Sequence, residues 1–211
     1  MKNFILEKLN NSITTLHKVM ADEALLETLA GAAAITGKAL LNGQKLMVAG
    51  NGGSAADSQH LVAEFVSRLT VDRPAMRALA LTTDTSILTA IGNDYGYSNV
   101  FARQIEALGQ PGDIFLGIST SGNSENILKA LNLCRNLSVT TIGFSGNKGG
   151  RMSDLCDYNI IIPSNITANI QELHLVLEHI YCHLVEIAYF GAEFVAKPTE
   201  EHLLRGATSQ R

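Results

Sequence analysis

The sequence predicts an α/β protein with a doubly wound, parallel sheet of five strands, N-terminal helices and a long C-terminal helix. Short runs such as residues 113–118 are apolar throughout, which is typical of strands that are covered on both faces. Segments with helical periodicity separate these runs, as expected for the crossovers of a parallel sheet. Ligands in such sheets bind at the carboxyl ends of the strands, at a switch point in strand order.

Helices are predicted over residues 2–41. Leu6, Leu9, Ile13 and Leu16 follow one another at spacings of three and four, and the pattern resumes after a break near Asp22. An amphipathic helical segment before an α/β domain packs either against a partner subunit or against its own sheet. We expect residues 1–41 to pack in an oligomer.

Strands and helices alternate from residue 42 onward. The predicted strands cover residues 45–49, 77–81, 113–118, 139–144 and 158–162. The predicted helices cover residues 54–69, 85–91, 99–108, 124–137 and 150–155, and a long helix covers 167–189. Residues 1–190 are therefore predicted to form a single domain. Residues 191–211 lose the apolar periodicity and are predicted to be a C-terminal tail.

Composition narrows the classes of function. A net charge of −4 without a long basic run argues against binding to nucleic acid or to a membrane surface. The three cysteines are widely spaced and form no CxxC pair, so we expect neither a disulfide framework nor a cysteine zinc site. The apolar stretch at 29–35 is shorter than the roughly 20 residues that span a bilayer. We expect a cytoplasmic protein.

The segment ISTSGNSEN at 118–126 places four hydroxyl side chains between a predicted strand and a predicted helix: Ser119, Thr120, Ser121 and Ser124. Free backbone N–H groups and the positive end of the helix dipole favour an anion at such a position. A polar turn with an N-cap is the simpler interpretation, but a cap needs one such residue rather than four. We therefore predict a phosphate site.

The first predicted strand ends in AGNGGSA at 49–55. These residues match the G-x-G-x-x-A pattern of dinucleotide-binding turns, which is weak evidence alone. The acidic residue that should follow after about 20 residues is absent, since Asp84 lies 31 residues after Gly53. A glycine turn that lets the backbone approach a sugar or phosphate is favoured over a nicotinamide site, and a plain tight turn would need one glycine rather than three.

His60 and Glu64 are four residues apart on one predicted helix, so they share a face among apolar neighbours. The pair suits a divalent metal, and equally a simple hydrogen bond. The last predicted helix carries seven further polar candidates, and spacing alone does not choose among them: Gln171, Glu172, His174, Glu178, His179, His183 and Glu186. A surface helix with several histidines is the alternative for some of them.

Two other groups of polar residues are weaker candidates. Asn93 and Asp94 lie beside glycines, which predicts a turn, and a polar loop near a strand end could hold sugar hydroxyls. Arg68 and Arg73 are close enough in sequence to the His60 helix to pair with its charges, although neither ranks highly.

Four segments, in order and with plausible spacing, resemble the sugar-isomerase (SIS) domain family: AGNGGSAADSQHLVAEF, LTAIGNDYGY, GISTSGNSENI and IQELHLVLEHI. The resemblance covers residues 1 to about 190 and implies a flavodoxin-like fold. It also implies an aldose–ketose isomerase that converts D-sedoheptulose 7-phosphate to D-glycero-D-manno-heptose 7-phosphate through an enediol(ate). In bacteria this reaction supplies heptose for lipopolysaccharide and related glycans.

The resemblance also implies the residues of the site. Zn²⁺, one per subunit, would be held by His60, Glu64, Gln171 and His179, with Glu64 and His179 as the catalytic base and acid. Contacts with the phosphorylated seven-carbon sugar would come from Asn51, Gly52, Gly53, Glu64, Asn93, Asp94, Ser119, Thr120, Ser121, Ser124 and Gln171. The family is typically homotetrameric, with active sites near the subunit contacts.

The implied site contains two internal conflicts, and the sequence differs from the family pattern at one place. A carboxylate bound tightly to zinc is a poor free base, and Gln171 and His179 lie about 12 Å apart along a helix axis. The second conflict eases if Gln171 lies at the helix start and both side chains lean inward. Ala168 and Asn169 lack the charged side chains that some relatives carry there, so a charged substrate contact at those two positions is in doubt.

Two rival functions are compatible with the same fold. One is a non-enzymatic relative that binds the bacterial replication initiator, and the other is a module that binds or senses a phosphosugar. The Ser119–Ser124 loop would suffice for the second rival. Neither needs both Glu64 and His179, so their presence favours the enzyme.

Overall fold

Five parallel strands form one sheet in the order β2-β1-β3-β4-β5 in the computed structural model, which describes residues 1–195. The strands are β1 (Leu46–Gly50), β2 (Ala78–Ala80), β3 (Ile114–Ser119), β4 (Thr140–Gly146) and β5 (Tyr158–Ile162). The predicted fold class is confirmed, and each strand lies within two residues of its predicted bounds. The chain passes from β1 to β2 on one side and then to β3 on the other, so the order reverses between β1 and β3.

The described residues contain eight α-helices: α1 (Lys2–Met20), α2 (Glu23–Leu41), α3 (Gly53–Val66), α4 (Thr85–Asp94), α5 (Ala102–Leu108), α6 (Glu125–Asn136), α7 (Thr167–Phe190) and α8 (Ala192–Val195). Short 3-10 turns occupy Tyr97–Asn99 and Gly150–Asp154, so the predicted helices at 99–108 and 150–155 were partly wrong. Helix α8 lies at the start of the predicted tail, and the rest of that tail is outside the described residues.

The prediction of a turn at Asn93 and Asp94 was wrong, because these two residues are the last positions of helix α4. Asp84 caps the helix by accepting a hydrogen bond from the backbone N–H of Ile87. The turn comes two residues later than predicted. There Gly96 has a φ of +81°, a conformation that glycine adopts without steric cost.

The two faces of the sheet carry separate cores because side chains alternate along each strand. Leu46 and Val48 point to the face covered by α2, α3 and α7, whereas Met47 and Ala49 point to the face covered by α5 and α6. Helices on both faces of a parallel sheet account for strands that are apolar throughout.

Helix α2 is long and apolar enough to be a candidate membrane span, with a mean hydropathy of 1.4 in its most apolar window. Its buried residues Leu25, Leu29 and Leu40 belong to the core between the sheet and α7. One such helix is weak evidence for a membrane span, because length and composition alone do not distinguish it from a core helix.

Helix α1 is attached to α7 through its second half only. Ser12 donates a hydrogen bond to Glu172 at 2.6 Å and accepts one from Asn169 at 2.9 Å. Farther toward the N-terminus, large apolar side chains of α1 stay exposed, among them Phe4 and Leu9. The helix thus presents an apolar surface that its own chain does not cover.

Candidate active site

Helices α3 and α7 bring three of the predicted site residues together. His60 Nε2 lies 2.9 Å from His179 Nε2 and 3.8 Å from a carboxylate oxygen of Glu64. One potential ligand atom from each of the three residues falls within 4.8 Å of the other two. Among the described residues, this is the one group of three or more His, Cys, Asp or Glu side chains arranged closely enough to hold a metal ion.

The donor set of this cluster fits a zinc ion. Two imidazole nitrogens and one carboxylate are ligands that Zn²⁺ commonly takes in proteins. At 2.9 Å, the two Nε2 atoms can share one hydrogen bond only if the rings adopt complementary tautomers, whereas a cation would accept both lone pairs. The His60 side chain is 43% exposed and that of Glu64 is 16% exposed, so a ligand can reach the cluster from solvent.

Gln171, the fourth predicted ligand, has a different partner. Its side-chain nitrogen lies 3.5 Å from Asp57, one turn of α3 before His60. The amide also occupies the space where a Cβ at position 53 would lie, so a larger residue there would require the Gln171 side chain to move. Gln171 is close to the start of α7, as expected if it leans toward α3, but the structure places it beside Asp57 and Gly53.

Asp57 was missed in the sequence analysis although the signal was present. It precedes His60 by three residues and Glu64 by seven, so all three share one face of α3. Burial raises the pKa of Asp57, and both the hydrogen bond from Gln171 and the charge of His60 oppose this shift.

His174 and Glu178 point into the core. His174 Nε2 donates to the backbone oxygen of Ser145 at 2.9 Å, because a carbonyl can only accept, and burial lowers the pKa of His174 to about 4. Both carboxyl oxygens of Glu178 are buried without a hydrogen-bond partner, and burial, with a smaller effect of Asp57, raises the pKa of Glu178 to about 8. Both side chains are therefore uncharged at neutral pH.

Arg73 joins the end of α3 to α7, although its sequence position gave it a low rank. Its guanidinium donates to the backbone oxygens of Glu64 and Phe65 and, at 2.7 Å, to the carboxylate of Glu186. The side chains of Arg73 and Glu186 are 1% and 0% exposed. Arg73 thus satisfies carbonyls that have no partner within the helix and ends α3 three residues earlier than predicted. His183 lies at the edge of this pair, 3.9 Å from Glu186.

The hydroxyl-rich loop follows β3 as predicted. Ser119 contacts Ser124 at 2.9 Å and Ser121 at 3.4 Å through their hydroxyl oxygens, and Thr120 lies beside them, partly exposed. Ser124 is the N-cap residue of α6, but its side chain does not cap the helix. The hydroxyls therefore converge on one another next to a helix N-terminus, as an anion site requires.

The glycine turn after β1 lies beside this loop, because β1 and β3 are neighbours and Gly50 pairs with Ile118. Asn51 is half-buried there, and Gly52 has a φ of +57° that favours glycine. Asn93 and Asp94 are exposed at the end of α4 and hydrogen-bond to each other at 2.7 Å. The structure thus joins the two predicted loops at the switch point, whereas the side chains of Asn93 and Asp94 form no hydrogen bond to the described residues of either loop.

Comparisons with known proteins identify the family of this chain. A family model described as "SIS domain" matches residues 9–146. A protein named phosphoheptose isomerase 2 from Campylobacter jejuni is 52% identical over 197 residues, which cover 93% of this chain and 98% of the relative. A phosphoheptose isomerase from Aneurinibacillus thermoaerophilus is 52% identical over 196 residues, covering 93% of this chain and 99% of the relative.

A solved structure leads to the same family. The phosphoheptose isomerase of Neisseria gonorrhoeae superposes with a TM-score of 0.82 at 38% identity, over 88% of this chain and 98% of the other. The identity extends over nearly the whole length of these relatives, so the similarity is not confined to a shared domain. The chain belongs to the SIS-domain family and, within it, to the phosphoheptose isomerases.

Proposed function

We propose that this chain is an aldose–ketose isomerase that converts D-sedoheptulose 7-phosphate to D-glycero-D-manno-heptose 7-phosphate. The observation that carries the proposal is the cluster of His60, Glu64 and His179, in a chain that is 52% identical to named phosphoheptose isomerases. A carboxylate and an imidazole within a few ångströms are what an enediol mechanism needs.

The reaction moves a carbonyl from C2 to C1. Glu64, as the base, takes a proton from C1 of the ketose and returns it to C2, while His179, as the acid, supplies a proton to the oxygen at C2. The hydroxyl at C1 then gives its proton to His179 as the new carbonyl forms, so both side chains return to their starting protonation states and no proton is gained or lost overall. Each transfer needs only a small movement of the substrate, because both side chains belong to one cluster.

The residues that would hold zinc in this proposal are His60, Glu64 and His179, with Gln171 as a fourth ligand after a rotation away from Asp57. When bound, the ion would polarise the substrate carbonyl and stabilise negative charge on its oxygen. The shortest approach in the cluster joins the two imidazoles, and Glu64 is farther from His60, at 3.8 Å. The proposal requires Glu64 to be the looser ligand, since a carboxylate bound tightly to zinc is a poor base.

The substrate contacts follow from the two loops at the switch point. We assign the phosphate to Ser119, Thr120, Ser121 and Ser124. The hydroxyls of the three serines converge near the N-terminus of α6, and Thr120 lies between Ser119 and Ser121 in the chain. Asn51, Gly52 and Gly53 would contact the sugar. Asn93 and Asp94, which are exposed at the end of α4, would contribute further sugar contacts.

The proposed assembly is a homotetramer, and the proposed location is the cytoplasm of a bacterium that makes heptose-containing glycans such as lipopolysaccharide. The exposed apolar face of α1 supports an oligomer, as do Val176, Ile180 and Ile187 on the exposed stripe of α7. His179 is half-buried beside that stripe, so a partner subunit packed there would border the active site.

Nuclear magnetic resonance of the protein mixed with sedoheptulose 7-phosphate tests this proposal, before and after the metal is stripped and zinc returned. We expect conversion to a heptose 7-phosphate that is lost on stripping and restored by zinc. Conversion that survives metal stripping would support the isomerase assignment but contradict the requirement for zinc. Folded, zinc-loaded protein that binds the sugar without converting it would favour a binding or sensing relative instead.

A further inference from the structure

Three side chains form a hydrogen-bonded chain across the switch point between β1 and β3. The amides of Asn51 and Asn126 bond to each other reciprocally, at 2.9 and 2.8 Å, and the hydroxyl of Tyr97 donates to the amide oxygen of Asn51 at 3.1 Å. The three residues come from the turn after β1, the first turn of α6 and the 3-10 turn after α4. They surround the crevice where open α/β sheets bind ligands.

The direction of every hydrogen bond in this chain is determined by the backbone. The N–H of Ile127 donates to the side-chain oxygen of Asn126 at 3.0 Å, so that atom must be the oxygen. It therefore accepts from the amide nitrogen of Asn51, and the oxygen of Asn51 accepts from Asn126. Tyr97 can then only donate to that oxygen.

Among the described residues, these bonds leave one N–H of the Asn51 amide without a hydrogen-bond partner. Its oxygen accepts two hydrogen bonds, from Tyr97 and Asn126, while its nitrogen carries two hydrogens and donates one of them. Asn126 is buried, with 3% exposure, whereas Asn51 is only half-buried beside the hydroxyl-rich loop. An oxygen atom of a sugar or phosphate is the partner that this remaining N–H fits.

We propose that Tyr97 is a positioning residue for substrate binding, which acts through Asn51. The tyrosine hydroxyl contacts the Asn51 amide from the solvent side, and Asn126 contacts it from the protein side. The remaining N–H of Asn51 therefore keeps one orientation before the substrate binds. A pre-oriented donor binds more tightly because less conformational freedom is lost on binding. This inference rests on the proposed isomerase function, since it assigns a task to a substrate contact of that site.

The test is a double-mutant cycle on Tyr97→Phe and Asn51→Ala, with KM and kcat measured for sedoheptulose 7-phosphate. Tyr97 is 60% exposed, so removing its hydroxyl leaves the packing intact, and an unchanged melting temperature checks this. We expect Tyr97→Phe to raise KM about 3- to 10-fold, the range for one hydrogen bond, with kcat unchanged within about twofold. In the Asn51→Ala background the same change should raise KM by less than about twofold.

Tyr95→Phe is the matched control. Tyr95 is 56% exposed in the same segment, and its ring stacks on Arg103, but its hydroxyl makes no hydrogen bond to a described residue. Its KM should equal that of the parent protein. An equal rise in KM from Tyr97→Phe with and without Asn51 would refute the inference, as would no rise in the parent background.

The cycle can also be run on the dissociation constant of the phosphosugar, measured by calorimetry. A parent protein that binds the sugar without isomerising it would refute the proposed function, and the same cycle would still decide the role of Tyr97. A parent protein that neither binds nor converts the sugar would overturn both proposals.

Discussion

Glu178 is a buried acid whose replacement should stabilise the protein at neutral pH. Its side chain is 1% exposed, neither carboxyl oxygen has a hydrogen-bond partner, and burial raises its pKa to about 8 from an ordinary value of 4.5. At pH 7 the unfolded chain carries the ionised carboxylate, whereas the folded chain keeps the proton. The native state is therefore favoured at low pH, and this contribution is lost as pH rises from about 4.5 to about 8.

The size of the effect follows from linkage. Between pH 4.5 and 7 the unfolded state loses a proton that the folded state retains, which costs about 1.4 kcal/mol of stability per pH unit and about 3 kcal/mol in all. Glu178→Gln keeps the shape and removes the ionisation. We expect the variant to be more stable than the parent by about 3 kcal/mol at pH 7 and to differ little from it at pH 4.5.

Urea unfolding of both proteins after metal removal, at pH 4.5, 6 and 7.5, measures this difference. His174 also affects the pH dependence, because burial lowers its pKa to about 4 and stability is lost as pH falls from 6.5. That contribution is common to both proteins and cancels in the comparison. Glu27→Gln, at an exposed position on α2, should change stability by less than about 0.5 kcal/mol at each pH. A stability gain for Glu178→Gln that stays constant with pH would refute the reasoning.

Three further predictions concern the site and its support. Glu64→Gln should lower kcat for isomerisation by at least about 100-fold with an unchanged circular dichroism spectrum, and normal turnover in a folded variant would remove Glu64 from the mechanism. Ser119→Ala and Ser124→Ala should each weaken binding of the phosphorylated sugar by about 1 kcal/mol in calorimetry, and equal affinity of the parent for the unphosphorylated sugar would contradict the phosphate assignment. Arg73→Ala should lower the free energy of unfolding by about 3–5 kcal/mol in urea, because it leaves Glu186 buried without a partner; a loss below about 1 kcal/mol would argue against the buried pair.

The sheet could be predicted from the sequence because its strands are buried on both faces. A run such as Ile114–Ser119 is apolar at every position that contacts either core, so its pattern depends on the fold class and not on details of packing. The hydroxyl-rich loop was predictable for a related reason. Strand, turn and helix N-terminus follow one another directly in sequence, so all parts of that site are local.

The predictions failed where a distant residue decides the local structure. The end of α3 depends on Arg73, which lies beyond the helix in sequence. Its guanidinium donates hydrogen bonds to backbone oxygens in the last turn of α3 and forms an ion pair with Glu186 on α7. The seven polar residues of α7 are a second case. Their spacing is the same whether a side chain faces α3, the sheet or solvent, so only packing separates His179 in the cluster from His174 in the core.

The parallel sheet itself explains why the cluster forms on two helices. Helices α3 and α7 each follow a strand of the parallel sheet, so they run in the same direction, and two pairs of side chains connect them. Asp57 pairs with Gln171, and His60 pairs with His179. Farther along α3 the backbone of Glu64 is tied through Arg73 to Glu186. The rise from Gln171 to His179 is about 12 Å, whereas only about 4.5 Å along α3 separates Asp57 from His60, so the lean of the side chains, and not the helix rise alone, brings both pairs into contact. The His60–His179 contact lies between the hydrogen bond of Gln171 to Asp57 and the buried ion pair of Arg73 with Glu186. The spacing of the two imidazoles therefore depends on both of these contacts.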